Sequence, residues 1–329
     1  MNQTLILTRR DVQALLGLDE CIAAVESAFR LHAEGKSLAP GVLAVKARDG
    51  GFHIKAAGLE LGRRYFAAKT NANFSSNPSR HGLPAIQGVI VLSDADDGRP
   101  LAVMDSIEVT IRRTAAATAA AAKWLARQDS ASVTICGCGS QGREQLRALA
   151  RVLLLSRAHA YDADEAVARA YARELSAELG IEIAPTRDLP AALRDSDVCV
   201  TCTPSRSAFL KREHVRPGTF VAAVGADSPD KQELEPRLLA EAVLVVDMLE
   251  QCASIGELHH ALDAGVLTRE AVHAELADVL TGRRPGRQSD QQITIFDSTG
   301  TALQDVAAAA VVYEKAVANG QGVRLSLGD

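Results

Sequence analysis

From Ser132 to about Asp297, short apolar runs alternate with stretches of helical period. The runs cover 133–135, 158–161, 182–184, 198–201, 220–224, 243–246 and 293–296. Continuous apolar strands separated by helices predict a parallel sheet covered on both faces, an α/β doubly wound domain. The first third reads differently. Runs at 42–46, 52–57, 65–71, 88–92 and 101–105 are divided by Gly, Asn, Pro and Asp clusters, which predicts an antiparallel meander. A strand at 5–7 and two helices precede it. The second helix places Ile22, Val25, Phe29 and His32 on one face, with Asp19 as its expected cap and Gly35 as its stop. The polar stretch 73–84 is expected to be a binding loop. A long helix follows over 106–127, nearly all small residues from Thr114 to Ala122. A final helix, 302–317, follows the turn 297–300, and the short tail is expected to rejoin the first domain. The expected organisation is residues 1–115 with 302–329 in one discontinuous α+β domain and 116–301 in the doubly wound one.

One stretch carries a chemical signal. Val133-Thr134-Ile135-Cys136 runs into Gly137-Cys138-Gly139-Ser140-Gln141-Gly142, and a helical pattern follows. A strand, a Gly-x-Gly-x-x-Gly turn and a helix start can cradle a pyrophosphate. The glycines permit a tight turn and close backbone approach, and the helix start offers N–H groups and its positive dipole end. Asp162 lies about 20 residues past the last glycine, where an acid can bond both ribose hydroxyls and repel a 2′-phosphate. The expected cofactor is therefore NAD (NADH) rather than its phosphorylated form.

Composition narrows the rest. Net charge is −5 and the charges are mixed, with no basic stripe for nucleic acid. No apolar run approaches about 18 residues, and the first residues lack a leader pattern, so no membrane partner and a cytoplasmic location are expected. Six cysteines are too few for a disulfide framework. Cys199 and Cys202 form a Cys-x-x-Cys along a strand instead of at a helix start, which favours core packing over redox work. The eight histidines show no ligand spacing, and no metal is expected.

Several motifs in order resemble the ornithine cyclodeaminase/μ-crystallin family. They are Ala68-Lys69; Leu92-x-Asp94-Ala95-x-x-Gly98-Arg99-Pro100; Thr110-x-x-Arg113-Thr114-Ala115-Ala116; the glycine turn; Val224-Gly225-Ala226-Asp227-Ser228-Pro229-x-Lys231-Gln232-Glu233-Leu234; and Phe296-Asp297-Ser298-Thr299-Gly300 through Asp305. The resemblance implies a homodimer of two-domain subunits. A Rossmann domain would bind NAD(P), and the split domain would bind a small amino or imino acid and dimerise. It implies catalytic roles for Lys69, which would hold the substrate carboxylate, and for Asp227, the acid/base at the amine or imine nitrogen. Arg113 would approach both substrate and cofactor. Thr114, Gly137, Gly139, Ser140, Gln141, Gly142, Thr203, Val224, Gly225, Lys231 and Ser298 would line the cofactor. A helix cap for the segment after Pro229 is the competing role for Asp227, as a surface position is for Lys69.

The chain departs from the family pattern in places. Cyclodeaminases carry an arginine soon after the proline of the first meander strand, whereas Pro40 is followed by Gly41-Val42-Leu43-Ala44-Val45-Lys46. Ala85 stands where a threonine is common. The stretch 52–58 carries His53 and Lys55 on one strand face, which either adds positive charge to a pocket or faces solvent. Added lysine would repel ornithine. The expectation is therefore an NAD-dependent amino-acid dehydrogenase or imine reductase, with an anionic substrate in view. An ornithine cyclodeaminase with recycling NAD and a non-catalytic NAD(P)-dependent binding protein are the rival readings.

Overall fold

The structure is a computed structural model that describes residues 3–327. The chain forms two compact units. One comprises residues up to Arg113 and from Thr301 onward, and the other is Thr114–Gly300.

Among the described residues, the first unit holds a seven-stranded sheet. Its order is Val323–Ser326, Gln3–Leu7, Pro100–Asp105, Ile86–Asp94, Arg63–Asn73, Gly50–Leu61, Ser37–Ala47. The middle strands are the expected meander, antiparallel throughout. Gln3–Leu7 pairs parallel to Pro100–Asp105, and the tail strand Val323–Ser326 pairs antiparallel to Gln3–Leu7. The helices Leu18–Ala33 and Ala302–Asn319 pack together, and the second also lies on strands Gly50–Leu61 and Arg63–Asn73. Cys21, Ile22, Val25, Ala28 and Phe29 are buried on the first of these helices. Its cap is Gly17, whose N–H donates to Glu20 at 3.2 Å, in place of the expected Asp19. An acid at the third helical position reaches back to the cap, whereas Asp19 sits one turn position too early. The stretch 73–84 is not all loop, since Asn77–His81 forms a short helix ended by Gly82.

The second unit is a Rossmann-type doubly wound domain. Its eight strands run in the order Ala274–Glu275, Val243–Val246, Thr294–Asp297, Phe220–Ala223, Val198–Thr201, Ser132–Cys136, Arg157–Tyr161, Glu182–Thr186, every pairing parallel. The last long strand in sequence inserts between two earlier ones, which alternation along the chain does not reveal. A separate parallel pair, Arg206–Leu210 with Gln232–Leu234, was not expected from the pattern either. Gln232–Leu234 is too short to show a period. No helix among the described residues is long and apolar enough to cross a membrane.

One acid staples the amino edge of this sheet. Asp197 Oδ2 accepts from Ala131 N (2.9 Å), Ser132 N (3.1 Å) and Ser132 Oγ (2.8 Å), and Oδ1 accepts from Arg127 (2.8 Å) and Arg216 (2.6 Å). Burial alone would raise its carboxyl. The N–H donors of Ala131 and Ser132 and the charge of Arg127 outweigh that and hold it below the ordinary aspartate range. A carboxyl depressed in the folded state stabilises the fold above its unfolded pKa, near 3.9, and loses that contribution as pH falls through the folded value. Asp197→Asn should therefore cost roughly 1.5–3 kcal/mol at pH 7 in urea unfolding. The gap to the parent protein should close as pH falls below about 4. An equal gap at every pH would rule out this charge as the cause.

Candidate functional site

The glycine turn lies at the carboxyl end of the buried strand Ser132–Cys136. Gly137 has φ 100°, in the left-handed region. A Cβ at Gly142 would sit 2.0 Å from the Gly137 carbonyl oxygen, so the turn closes only with glycine there. The helix Ser140–Val152 starts at Gly139, which offers no side-chain cap. Gly139 and Ser140 are exposed and Gln141 is half-buried. The first-turn N–H groups are thus presented at an open helix start, a suitable place for an anion. Asp162 follows the next strand. Its Oδ2 accepts from Cys138 N at 2.8 Å and its Oδ1 from Asp164 N at 3.0 Å. These bonds fix the carboxylate against the turn. The glycine turn, the uncapped helix and the adjoining acid together fit a dinucleotide with free ribose hydroxyls.

The other strand ends of this unit bring further residues to the same edge. Thr203 lies past Val198–Thr201, and its N–H and hydroxyl both donate to Glu233 Oε1, at 2.6 and 2.7 Å. Val224 and Gly225 follow Phe220–Ala223, and Gly225 N donates to Glu233 Oε2 at 3.0 Å. Ser298 follows Thr294–Asp297, is buried, and donates to Asp247 at 3.0 Å. Asp227 is half-exposed, and Lys231 Nζ donates to its Oδ1 at 2.6 Å. A turn and the strand Gln232–Leu234 follow Pro229, and the next helix, Pro236–Ala240, is capped at Glu235, so Asp227 is not the helix cap considered above. Cys202 Sγ donates to the carbonyls of Cys136 (3.3 Å) and Gly137 (3.2 Å), and burial pushes its thiol pKa up. That environment keeps it a packing thiol. Among the described residues no group of three or more His, Cys, Asp or Glu is arranged for a metal ion.

The first unit carries a second, separate cluster. Lys55 and Lys69 are direct cross-strand partners, as are His53 and Asn71. On the same face lie Ala57, Leu59, Tyr65 and Ala67, all buried. This inner face is apolar at one end and becomes charged at Lys55 and Lys69, while His53 is half-buried beyond them. The solvent-facing alternative for this pair fails at Lys55, which is 6% exposed, and the surface alternative for Lys69 fails at 3%. Lys69 Nζ stands 2.8 Å from Asp305, and Arg113 Nε donates to Asp305 Oδ1 at 3.1 Å. Arg113 Nη1 also donates to Gln304 Oε1 at 2.8 Å. Thr114 follows Arg113 in the same helix and is buried. The neighbouring Arg112 instead donates to the Gln13 carbonyl at 3.0 Å. Burial, then the charges of Arg113 and Lys55, pull the Lys69 ammonium down to about 7 against the opposing pull of Asp305. Burial would raise Asp305, but the cations Lys69 and Arg113 hold it low. Asp305 and Gln304 were missed as site residues. In sequence an acid in a first helical turn reads as a dipole partner.

Comparison with known proteins places this geometry. The model of the ornithine cyclodeaminase/mu-crystallin family matches residues 2–320. The chain belongs to this family. Among solved members, an archaeal alanine dehydrogenase dimer with bound NAD is 41% identical, covers 99% of each chain and superposes with a TM-score of 0.94. The Δ1-pyrroline-2-carboxylate reductase of Thermococcus litoralis, in complex with NADH and L-proline, is 33% identical over 98% of this chain and 100% of that one, TM-score 0.94. The iminosuccinate reductase of Paracoccus denitrificans with NAD+ is 31% identical over 99% and 100%, TM-score 0.91. These family members hold the cofactor that the glycine turn and Asp162 suit. Asp162→Ala should weaken discrimination against the 2′-phosphorylated dinucleotide, read as the ratio of the two dissociation constants by fluorescence titration. An unchanged ratio would show that Asp162 does not read the ribose.

Proposed function

We propose that this chain is an NAD-dependent oxidoreductase that interconverts a 2-imino acid and the L-amino acid, with a second anionic group on the substrate. The carrying observation is the inner-face cluster in which Lys55, Lys69 and Arg113 gather around Asp305. Bound NADH supplies a hydride to the substrate α-carbon. The chain's own residues do the rest. Lys69 and Arg113 hold the α-carboxylate, and Lys55, one strand over, receives the second anion. Buried positions strengthen these ionic bonds by excluding water. Asp227 handles the proton at the substrate nitrogen, oriented by Lys231 on one carboxylate oxygen. A cyclodeaminase would instead need to seat a distal ammonium, which buried Lys55 disfavours. The same reading includes a homodimer. The edge strand Ser37–Ala47 leaves Leu38, Leu43 and Val45 about half exposed (56%, 56% and 47%), an apolar stretch suited to a second copy.

The test is NADH absorbance with purified protein offered oxaloacetate, pyruvate or glyoxylate with ammonia, and pyrroline-2-carboxylate. Sustained NADH loss, fastest with oxaloacetate, is expected. Proline and ammonia from ornithine plus NAD, without NADH build-up, would overturn the reading. Lys69→Ala and Asp227→Ala should each lower turnover by at least about 100-fold. Near-normal rates in either variant would remove that residue from the mechanism.

Succinate inhibition probes the charge cluster. Lys69, with its pKa near 7, is cationic below that value and loses its proton above it, so succinate should bind more weakly as pH rises through about 7. Lys69→Arg should flatten that profile, since a guanidinium keeps its proton. Lys55→Ala should erase about 10-fold to 100-fold of the preference for succinate over propionate. An unaltered preference would show that Lys55 does not receive the second carboxylate.

A further inference from the structure

The Thr114–Gly300 unit buries several carboxylates that the proposed chemistry does not use. Glu233 is fully buried, and its three hydrogen bonds described above come from two different strand ends, Thr203 and Gly225. A Cβ at Gly225 would lie 2.4 Å from Glu233 Oε2, so only glycine lets the carboxylate come this close. Glu233 is itself held. Its N–H donates to Glu257 Oε1 at 2.7 Å and Leu234 N donates to Glu257 Oε2 at 3.0 Å. Glu257 N and Leu258 N donate in turn to Asp297, at 3.2 and 2.9 Å. A buried carboxylate is costly unless its oxygens are hydrogen-bonded, and here backbone N–H groups supply the bonds. The outcome is a loop closed on itself. Gly225 is tied to the side chain of Glu233, and Asp227 sits two residues from that tie.

We propose that Glu233 is a positioning residue that acts through Asp227. Its carboxylate clamps the first residue of the Gly225–Glu233 segment to the Thr203 strand end, and Glu257 clamps the last. Asp227 then projects from a segment fixed at both ends, with Lys231 on the same segment orienting its carboxylate. Fixed ends matter because an acid/base group must meet the substrate nitrogen within hydrogen-bond reach, and a shift of about 1 Å can cost about 100-fold in rate. This inference rests on the acid/base reading of Asp227.

The experiment is a double-mutant cycle on the full chain. Glu233→Gln keeps one acceptor oxygen but turns an amide toward N–H donors, which breaks half of the clamp. It should lower kcat by about 10-fold to 100-fold while the protein still binds NADH in a fluorescence titration. In an Asp227→Asn background the same change should alter the residual rate by no more than about twofold, because the group it positions is already gone. Glu233→Asp, which keeps the charge on a shorter arm, should fall between the parent and Glu233→Gln. It also takes over the cycle if the amide variant fails to fold. An unaltered kcat in Glu233→Gln overturns the inference, as does an equal fold-loss in both backgrounds, which is the signature of a purely structural residue. If Asp227→Asn alone keeps the parent rate, the acid/base reading falls and takes the inference with it. That outcome is distinguishable from failed coupling, in which Asp227→Asn is slow but Glu233 acts independently of it.

Discussion

A single buried acid governs how the chain closes. Asp305 sits against Lys69 and Arg113, and all three are almost fully covered. Burying a charge costs several kcal/mol per ion unless a partner and hydrogen bonds offset it. That carboxylate offsets the burial of Lys69 on its meander strand and of Arg113 on the helix Ile107–Leu125. Asp305 lies more than 190 positions beyond Arg113, on a helix that follows the whole second unit. The chain leaves the first unit at Arg113 and re-enters it at Thr301, so the ion pair joins the two crossing points. The last helix must come back to the sheet, and its apolar positions then cover the meander.

The second unit meets a comparable problem with backbone groups instead of cations. Its parallel strands end in N–H and C=O groups that the sheet no longer pairs. At the amino edge Asp197 gathers the starts of two strands and two arginines. At the carboxyl edge Glu233, Glu257, Asp297 and Asp247 each accept from backbone N–H groups of neighbouring turns. These acids differ in consequence. Asp197 has arginines beside it and its carboxyl is held low. For Glu233 and Glu257 burial dominates and the carboxyls are pushed up, and Asp297 is pushed to about 7. This hydrogen-bonded carboxyl edge is where the glycine turn, Thr203, Gly225 and Ser298 converge.

Much of this was legible because the physics is local. Parallel strands buried on both faces are continuous apolar runs, and each expected run from 133–135 to 293–296 became a strand. The glycine turn was legible because backbone geometry demands glycine at Gly137 and Gly142 whatever surrounds them. Non-local features were hidden. The insertion of Thr294–Asp297 between Phe220–Ala223 and Val243–Val246 depends on packing that no period records. Glu233 and Glu257 look like ordinary surface acids, and only the fold shows that they are buried acceptors. Alternation put His53 and Lys55 on a common face but could not say which face the Ala302–Asn319 helix would cover.

The arginine expected after Pro40 is missing, and Leu38, Val42, Leu43 and Val45 keep the Ser37–Ala47 strand apolar and exposed. Lys55 supplies a cation one strand inward, as the direct partner of Lys69, with side-chain origins roughly 5 Å apart. Moving the charge from an edge strand to an inner one changes its chemistry. At an edge it is hydrated and screened, while next to Lys69 it is buried and, after burial itself and Arg113, adds to the lowering of that lysine's proton affinity. A cation in that position repels a second cation and favours an anion, so the charge preference of this face depends on strand order more than on the count of basic residues.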